Sequence, residues 1–479
     1  MSNERPLLRQ AAAALALALS CCAIGGAHAA ATITIVNTNA PNIGFNDPTP
    51  VQPVGGNSGR TLGAQRLIAF QQAADIWGRT ITSPAPVRVA ASFEPLPCNA
   101  DGAVLGSAGA LEVFADFPNA PKANTWYPGA LASKLARTDL ATPGEAHIRA
   151  RFNSRLGLFP DCMPGSGFYL GLDRKAGDQI DLVAVLLHEL AHGLGFQNFT
   201  DESTGEFFLG IPSIWDYFLI DTRNNKAWIN MKDDERRRSA IGGATLSWNG
   251  ERVYKVTAQV LAAQPNLMVS GMAAGKAGGS HDVGEASFGP QLGQNAVAGE
   301  LMPVVDQASG SGLACTPLSP ANALAVRGNI ALVDRGACTF VTKARILQNA
   351  GARGMVVMEN TSDPVSPLGG IDPAVRIPAV RIDKATGEQL KSVMLRRSRT
   401  SSGVTASLGL NPDKLAGTDL VRRIRMYSPE EYSPGSSVSH YSVDTRPNQL
   451  MEPAINTDLL HDVIPPHDLT YPLLQDIGW

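Results

Sequence analysis

The chain is short of cysteine, of aromatic residues and of net charge. Its 479 residues include six cysteines and 6% aromatic side chains, and 40 Lys and Arg against 43 Asp and Glu give a formal net charge of −3. Six cysteines are too few for a disulfide-dense scaffold. The near-neutral balance excludes the basic excess expected of a protein whose main partner is nucleic acid or an anionic membrane. At roughly 100–200 residues per domain, the length allows about two to four globular domains.

The longest apolar run, at the N-terminus, is too short to span a membrane. Residues 11–24 are largely apolar, follow Arg5 and Arg9, and precede Ala27-His28-Ala29, which fits a small-residue cleavage site. This order predicts a secretory signal peptide over residues 1–29. A membrane span needs ~20 apolar residues, so we expect no transmembrane segment after the signal is removed. The sequence therefore predicts an exported protein, either secreted or periplasmic.

Cysteine usage agrees with export. The signal removes Cys21 and Cys22, and the residues before Cys21 match a lipoprotein signal poorly. An even number of cysteines in an exported chain favours disulfides over a catalytic thiol. The four that remain allow three pairings, of which the simplest joins neighbours along the chain. The predicted pairs are Cys98 with Cys162 and Cys315 with Cys338.

The motif that carries chemistry is His188-Glu189-Leu190-Ala191-His192. On a helix, His188 and His192 project from one face and present two imidazoles to one metal ion. Glu189 lies beside them, placed to take a proton from a water molecule activated by the metal. Asp178 or Asp181 is the predicted N-cap of this helix. Because the chain has only eight histidines, the expected number of chance occurrences of the motif in a chain of this length and composition is roughly 0.004.

The third ligand is not given by the local motif. A catalytic zinc ion takes three protein ligands and keeps one position open. The extended pattern H-E-x-x-H-x-x-G-x-x-H would place a histidine at position 198, but the residue there is Asn198, whose amide is a poor zinc ligand. The remaining candidates are the other histidines of the mature chain and one nearby carboxylate: His147, His281, His440, His461, His467 and Asp201.

Three segments together resemble a known family. HELAHGLGF at 188–196, Ser439-His440-Tyr441 and then Leu450-Met451-Glu452-Pro453 resemble the leishmanolysin-like metzincin metallopeptidases. The resemblance implies that His188, His192 and His440 bind one catalytic Zn²⁺. It also implies that Glu189 is the general base.

The same resemblance assigns two structural roles. It implies that Gly195 lets the chain leave the helix and that Met451 forms a turn beneath the metal. Taken singly, His440 fits a surface histidine and Met451 fits the core, but their order along the chain favours the ligand and the floor. Calcium is chemically possible at Asp173, Asp178 and Asp181 but unsupported, since helix capping explains these residues with less machinery.

Another stretch resembles a protease-associated (PA) domain. The matching segments are residues 328–336, Cys338-Thr339-Phe340, Lys343 and residues 349–352, within roughly 298–408. The resemblance implies no catalysis of its own; such domains are regarded as lids, substrate-binding or interaction modules. Since the stretch lies between His192 and His440, we expect it to be inserted into the catalytic unit and to border the cleft.

The predicted fold class is α+β: a metzincin-like catalytic domain, with a mixed sheet and an active-site helix, interrupted by an α/β PA domain. We expect the catalytic parts at residues 30–287 and 409–479 and the PA domain at 288–408. The predicted function is a zinc metalloendopeptidase, a hydrolase whose partner is a protein or peptide substrate. That substrate would pair with a sheet edge near the helix, with Ile148–Asn153 as one candidate. The alternative is an inactive metal-binding or adhesion protein, and no oligomeric state is predicted.

Overall fold

The computed structural model describes residues 30–100, 102–305, 312–361, 365 and 367–479. The predicted signal peptide over residues 1–29 lies outside these ranges, together with Cys21 and Cys22. Within them, no helix combines the length and the apolar character needed to cross a bilayer.

The described residues form nine α-helices and nineteen β-strands. The helices are α1 (Leu62–Thr80), α2 (Gly129–Ala136), α3 (Leu182–Leu194), α4 (Asp233–Ala240), α5 (Glu251–Val260), α6 (Pro320–Val326), α7 (Phe340–Asn349), α8 (Lys384–Val393) and α9 (Thr470–Ile477). The strands are β1 (Ile33–Asn37), β2 (Val87–Glu94), β3 (Gly106–Ala110), β4 (Val113–Phe114), β5 (Tyr127–Pro128), β6 (Ile148–Asn153), β7 (Phe168–Tyr169), β8 (Ile180–Asp181), β9 (Leu219–Asp221), β10 (Lys226–Ala227), β11 (Leu246–Trp248), β12 (Ala263–Ser270), β13 (Gly279–Asp282), β14 (Gly284–Glu285), β15 (Val297–Pro303), β16 (Ile330–Asp334), β17 (Gly354–Met358), β18 (Ala379–Ile382) and β19 (Thr405–Leu415).

The N-terminal sheet has the strand order β1-β2-β6-β3. The strands β1, β2 and β6 are parallel, whereas β3 runs antiparallel to β6. β2 alternates buried and half-buried residues, as expected of a strand with one face on the core. The helices α1 and α3 contact each other and this sheet, and Trp77 Nε1 donates to the Leu187 carbonyl at 3.0 Å. The sheet and the two helices therefore form one packed layer pair.

This topology corrects the expectation about the sheet edge. Ile148–Asn153, the candidate edge, is β6, which pairs with β2 on one side and β3 on the other. The edge strands of the described sheet are β1 and β3, and β3 is the one that contacts α3. Its sequence, GSAGA, lacks the β-branched and aromatic residues that typify strands. The strand next to the active-site helix thus carries no pattern by which the sequence would reveal it.

The end of the chain returns to this first sheet. One hydrophobic core joins buried residues between Ala31 and Leu261 with buried residues between Ile424 and Trp479. Trp479 Nε1 donates to the Leu194 carbonyl at 2.7 Å, at the C-terminal end of α3. The last segment of the chain therefore packs on the first.

A second sheet of eight strands has the order β13-β12-β19-β15-β16-β17-β18-β14. The strands β15 to β18 are parallel to their neighbours in that series. Alternate residues of β16 face different clusters, since Val333 packs with Leu347 of α7 while Leu332 packs with Leu390 of α8. Helices on both faces of a parallel sheet define an α/β unit. The sheet also takes in β12, β13 and β14, which precede the predicted start of the PA domain at residue 288.

The described part of the chain holds two disulfides, and they have the predicted pairing. Cys98 bonds to Cys162, joining the segment after β2 to the segment after β6. Cys315 bonds to Cys338, within the eight-stranded unit. The chain is a mixed α/β protein, which agrees with the predicted class at that level.

Candidate metal centre

The helix α3 holds the histidine pair in a buried position. Asp181 is its N-cap, with a side chain that accepts hydrogen bonds from the backbone of Val183 and Ala184. All thirteen residues of the helix are buried, including His188, Glu189 and His192. The cap satisfies backbone N–H groups that would otherwise lack partners at the start of the helix. Of the two predicted caps, Asp181 is the one that the structure uses.

Gly195 ends the helix with a backbone conformation that favours glycine. Its φ is +124°, and a Cβ there would lie 3.0 Å from side-chain carbons of Pro128 and Ile477. The turn brings the Phe196 carbonyl to 2.6 Å from His192 Nδ1. Gly195 therefore lets the chain leave the helix, and the turn that follows also fixes one of the two imidazoles.

His440 joins His188 and His192 across 248 or more residues of sequence. The three Nε2 atoms are each 3.2 Å from the other two, so they form an equilateral triangle. All three side chains are buried. Among the described residues, this is the group of histidine, cysteine and carboxylate side chains whose atoms converge closely enough to hold a metal ion.

The outer nitrogen of each ring is held by a backbone carbonyl. Nδ1 lies 2.8 Å from the Leu450 oxygen in His188 and 2.9 Å from the Ser436 oxygen in His440, and His192 Nδ1 meets Phe196. A carbonyl only accepts hydrogen bonds, so each Nδ1 carries the proton and each Nε2 presents a lone pair. Three lone pairs that face one another repel unless a cation lies between them.

Electrostatics and geometry both suit zinc. Burial lowers the pKa of His188 to about 4 and of His192 to about 3, and it lowers the pKa of His440 well below its ordinary value, so the imidazoles stay neutral at pH 7. Zn–N bonds of about 2.0–2.1 Å in a tetrahedral site require nitrogen atoms roughly 3.3–3.4 Å apart. The observed 3.2 Å separations fit that requirement.

The other candidate ligands have different partners. Asn198 donates its backbone N–H to Ser439 Oγ at 3.0 Å, so it supports the residue next to His440. The remaining candidates bond elsewhere: His147 to Asp139, His281 to the Ala277 carbonyl, His461 to Asp181, His467 to Asp462, and Asp201 to Ser203. Two of the three acidic residues considered for calcium are also engaged, since Asp181 caps α3 and Asp173 accepts from the Tyr169 hydroxyl at 2.6 Å.

Glu189 lies on α3 between the two histidines, under the edge strand β3. Burial raises the pKa of Glu189 to about 8, partly opposed by a hydrogen bond from the backbone of Ala108. A Cβ at Gly106 would lie 3.0 Å from Glu189 Cγ. The small residues of β3 therefore allow its backbone to pass close over the glutamate.

Met451 lies in a segment that contacts His188 and the residue after His440. Its side chain is fully buried, and its carbonyl accepts from the backbone N–H of Tyr441 at 2.8 Å. The preceding residue, Leu450, supplies the carbonyl that holds His188. The segment thus connects His188 to the residue after His440, and the role of Met451 as a floor beneath the metal stays a prediction.

The triad opens into a cleft of about 880 Å³. The residues that line it include residues 102–108, Val185, His188, Glu189 and His192 of α3, residues 434–436, Ser439, His440 and residues 453–455. None of the described lining residues lies within 288–408, so the expectation that this stretch borders the cleft is wrong for the described part of the chain. Contact between the two units occurs instead at Arg446, which forms an ion pair with Glu285 of β14. Sequence reasoning missed Glu202, a lining residue in an irregular loop without a motif.

Part of the eight-stranded unit matches a known family. Residues 297–390 match the PA domain family. This segment is a PA domain. It takes in β15 to β18 with α6 and α7, and it lies within the predicted range of 288–408.

The curated relatives share only short stretches with this chain. The PIII-type proteinase of Lactococcus lactis subsp. cremoris is 29% identical over 103 residues, which are 22% of this chain and 5% of the proteinase. Vacuolar-sorting receptor 7 of Arabidopsis thaliana is 32% identical over 123 residues, which are 23% of this chain and 19% of the receptor. The chain therefore spans only a small part of the length of these relatives.

Solved structures give weak superpositions. A zinc aminopeptidase from Bacillus subtilis has a TM-score of 0.22 at 21% identity, covering 33% of this chain and 36% of that chain. A psychrophilic subtilisin-like protease from Pseudoalteromonas sp. AS-11 has a TM-score of 0.22 at 18% identity, covering 32% and 35%. At scores this low, the superpositions carry no argument about the fold or the chemistry.

Proposed function

We propose that this chain is an exported zinc-dependent endopeptidase, a leishmanolysin-like metzincin with a PA domain inserted between its second and third metal ligands. The observation that carries the proposal is the triangle of unprotonated Nε2 atoms from His188, His192 and His440, 3.2 Å on each side. Glu189 lies on the same helix as His188 and His192, and the glutamate and the three histidines line an open cleft. A buried lone-pair triangle next to a carboxylate is the donor set of a hydrolytic zinc site.

The chain's own residues supply positioning and proton transfer. His188, His192 and His440 would hold one zinc ion, and the carbonyls at their Nδ1 atoms fix the ring orientations. A bound zinc ion supplies the Lewis acidity that makes water a nucleophile near neutral pH and polarises a carbonyl group. Glu189 accepts the proton of the attacking water and then delivers it to the nitrogen of the leaving amine.

The substrate is proposed to bind along β3. β3 is the edge strand of the described sheet that contacts α3, and residues 106–108 line the cleft beside Glu189. A peptide in extended conformation adds to such an edge through main-chain hydrogen bonds, which hold it without regard to its sequence. This arrangement suits an endopeptidase because the edge accommodates chain on both sides of the cleaved bond.

Export and domain organisation complete the proposal. The disulfides Cys98–Cys162 and Cys315–Cys338 suit an oxidising compartment, secreted or periplasmic, and support the predicted signal peptide over residues 1–29. The proposed catalytic parts lie within 30–287 and 409–479 and flank a PA domain at 288–408, and β12 to β14 of the first range extend the sheet that contains this domain. The named proteinase among the relatives agrees with a peptidase that carries this domain.

The test combines zinc content with hydrolysis of casein by the mature chain. We expect about one zinc ion per wild-type chain. Glu189→Ala should keep the zinc and lose about 10²–10⁴-fold in rate, since the general base is gone. His440→Ala should lose zinc, whereas the control His467→Ala, outside the triad, should keep both zinc and activity.

Each outcome has a fixed meaning. Undiminished hydrolysis by Glu189→Ala would refute the mechanism. Full zinc occupancy in His440→Ala would refute the third ligand. A wild-type chain that binds zinc but hydrolyses no protein or peptide would instead support the inactive metal-binding alternative.

A further inference from the structure

A second carboxylate lines the cleft beyond the end of α3. Glu202 lies in the loop that follows the helix and is a wall residue of the same cleft as the histidine triad. Asn198 Nδ2 donates to its Oε1 at 3.0 Å, and the Tyr432 hydroxyl donates to its Oε2 at 3.3 Å. These two contacts hold the carboxylate in one orientation with neutral partners.

No described lining residue of the cleft carries a permanently charged basic side chain that would pair with Glu202. The cleft's described lining residues include two carboxylates, Glu189 and Glu202, and neither lysine nor arginine. Across the described ranges, Glu202 takes part in no ion pair. Burial raises the pKa of Glu202 to about 7, which shows that the protein disfavours an uncompensated charge here. A cation brought by the substrate would remove that cost.

The edge strand gives the cleft a direction. A Cβ at Gly106 would contact Glu189, and one at Gly109 would lie 3.3 Å from Gln197. β3 therefore runs from a position next to Glu189 toward the C-terminal end of α3, beyond which Gln197 and Glu202 lie. A peptide that pairs antiparallel to β3, as β6 does, enters with its N-terminal half on the Glu202 side.

We propose that Glu202 is a specificity-determining residue that selects peptides with a lysine or arginine side chain on the N-terminal side of the cleaved bond. The inference rests on the proposed peptidase function. The ammonium or guanidinium group would form a charge-assisted hydrogen bond with the carboxylate that Asn198 and Tyr432 orient.

The experiment measures cleavage of a peptide mixture and of one matched peptide pair by the zinc-loaded chain. The matched peptides carry lysine or norleucine at the preferred position, so they differ in charge and share the aliphatic stem. Wild type should favour lysine by about tenfold in kcat/KM, as expected for one partly buried charge-assisted bond. Glu202→Gln, which keeps the shape and hydrogen bonding of the side chain, should reduce that ratio to about one.

Glu206→Gln is the control for this substitution. It removes the same charge from the same loop, but Glu206 is exposed and does not line the cleft, so its lysine preference should equal that of wild type. A wild-type profile without basic residues N-terminal to the cleaved bond would overturn the inference, even if Glu202→Gln failed to fold. An unchanged ratio in folded Glu202→Gln would also overturn it. Absence of any cleavage by wild type would count against the proposed function instead.

Discussion

Acid should destabilise the PA domain through one buried carboxylate, Glu359. The side chain is 1% exposed and follows β17. It accepts hydrogen bonds from Arg335 at 2.6 Å and Arg381 at 2.8 Å, and from the backbone N–H of Asn360 at 2.9 Å. A carboxylate surrounded by two guanidinium groups is stabilised in its charged form, so protonation removes that contribution.

The magnitude follows from the pKa. Burial alone would raise the pKa of Glu359, but the bonds from Arg335, Asn360 and Arg381 outweigh it and lower the pKa from 4.5 to about 2. A difference of about 2.5 pH units corresponds to about 3 kcal/mol of folding free energy. Because the folded pKa is the lower one, this stability is fully present above pH 4.5 and is lost as the pH falls through 2.

Hydrogen exchange of the amides in β16 and β17 measures this effect within the whole chain, where a single unfolding transition is not expected. Glu359→Gln should weaken protection by about 3 kcal/mol at pH 6. The difference from wild type, referenced to intrinsic exchange rates, should shrink toward zero near pH 2. Glu388→Gln, an exposed carboxylate on α8, is the control and should match wild type. A constant difference between Glu359→Gln and wild type across the pH range would refute the reasoning.

Three further predictions concern residues outside the PA domain. Asp181→Ala should cost about 1–2 kcal/mol in denaturant unfolding because α3 loses its N-cap, and Asp181→Asn should restore most of it. Gly195→Ala should cost about 1–3 kcal/mol and lower zinc occupancy, since alanine at a φ of +124° is strained; unchanged thermal stability and zinc content would contradict this. Replacing Cys98 and Cys162 by serine should cost about 4 kcal/mol, because the disulfide closes a loop with a sequence separation of 64; equal denaturation midpoints would argue against it.

Local sequence patterns predicted those parts of the site whose geometry depends on residues close together in the sequence. The i, i+4 spacing of His188 and His192 sets their common face on any helix, and Asp181 was one of two predicted caps. The disulfide pairing followed from the even number of cysteines and their order along the chain. The PA domain was evident in a contiguous stretch, because its strands and helices follow one another without interruption.

The sheet edge was misassigned for a physical reason. Ile148–Asn153 has the alternating apolar pattern of a strand, but that pattern is equally compatible with an edge and an interior position. The edge strand beside α3, β3, is built of glycine, alanine and serine, and a Cβ at Gly106 would lie 3.0 Å from Glu189 Cγ. This closely packed strand lacks the larger side chains by which its sequence would be recognised as a strand.

By itself, the sequence determined the helix that carries His188 and His192 and the PA domain, since each depends on residues that are near in sequence. It also favoured the observed disulfide pairs among three possible pairings. Residue chemistry left several histidines open as the third partner of His188 and His192, and the family resemblance favoured His440. The tertiary structure decided the question, because the fold brings His440 Nε2 to 3.2 Å from the Nε2 atoms of His188 and His192. It also decided which nitrogen of His188 faces inward, since the carbonyl that holds its Nδ1 belongs to Leu450 in a distant segment, whereas the carbonyls that hold His192 and His440 lie four residues away in the chain. The place of Glu202 in the cleft has the same origin: packing between loops, which no local pattern encodes.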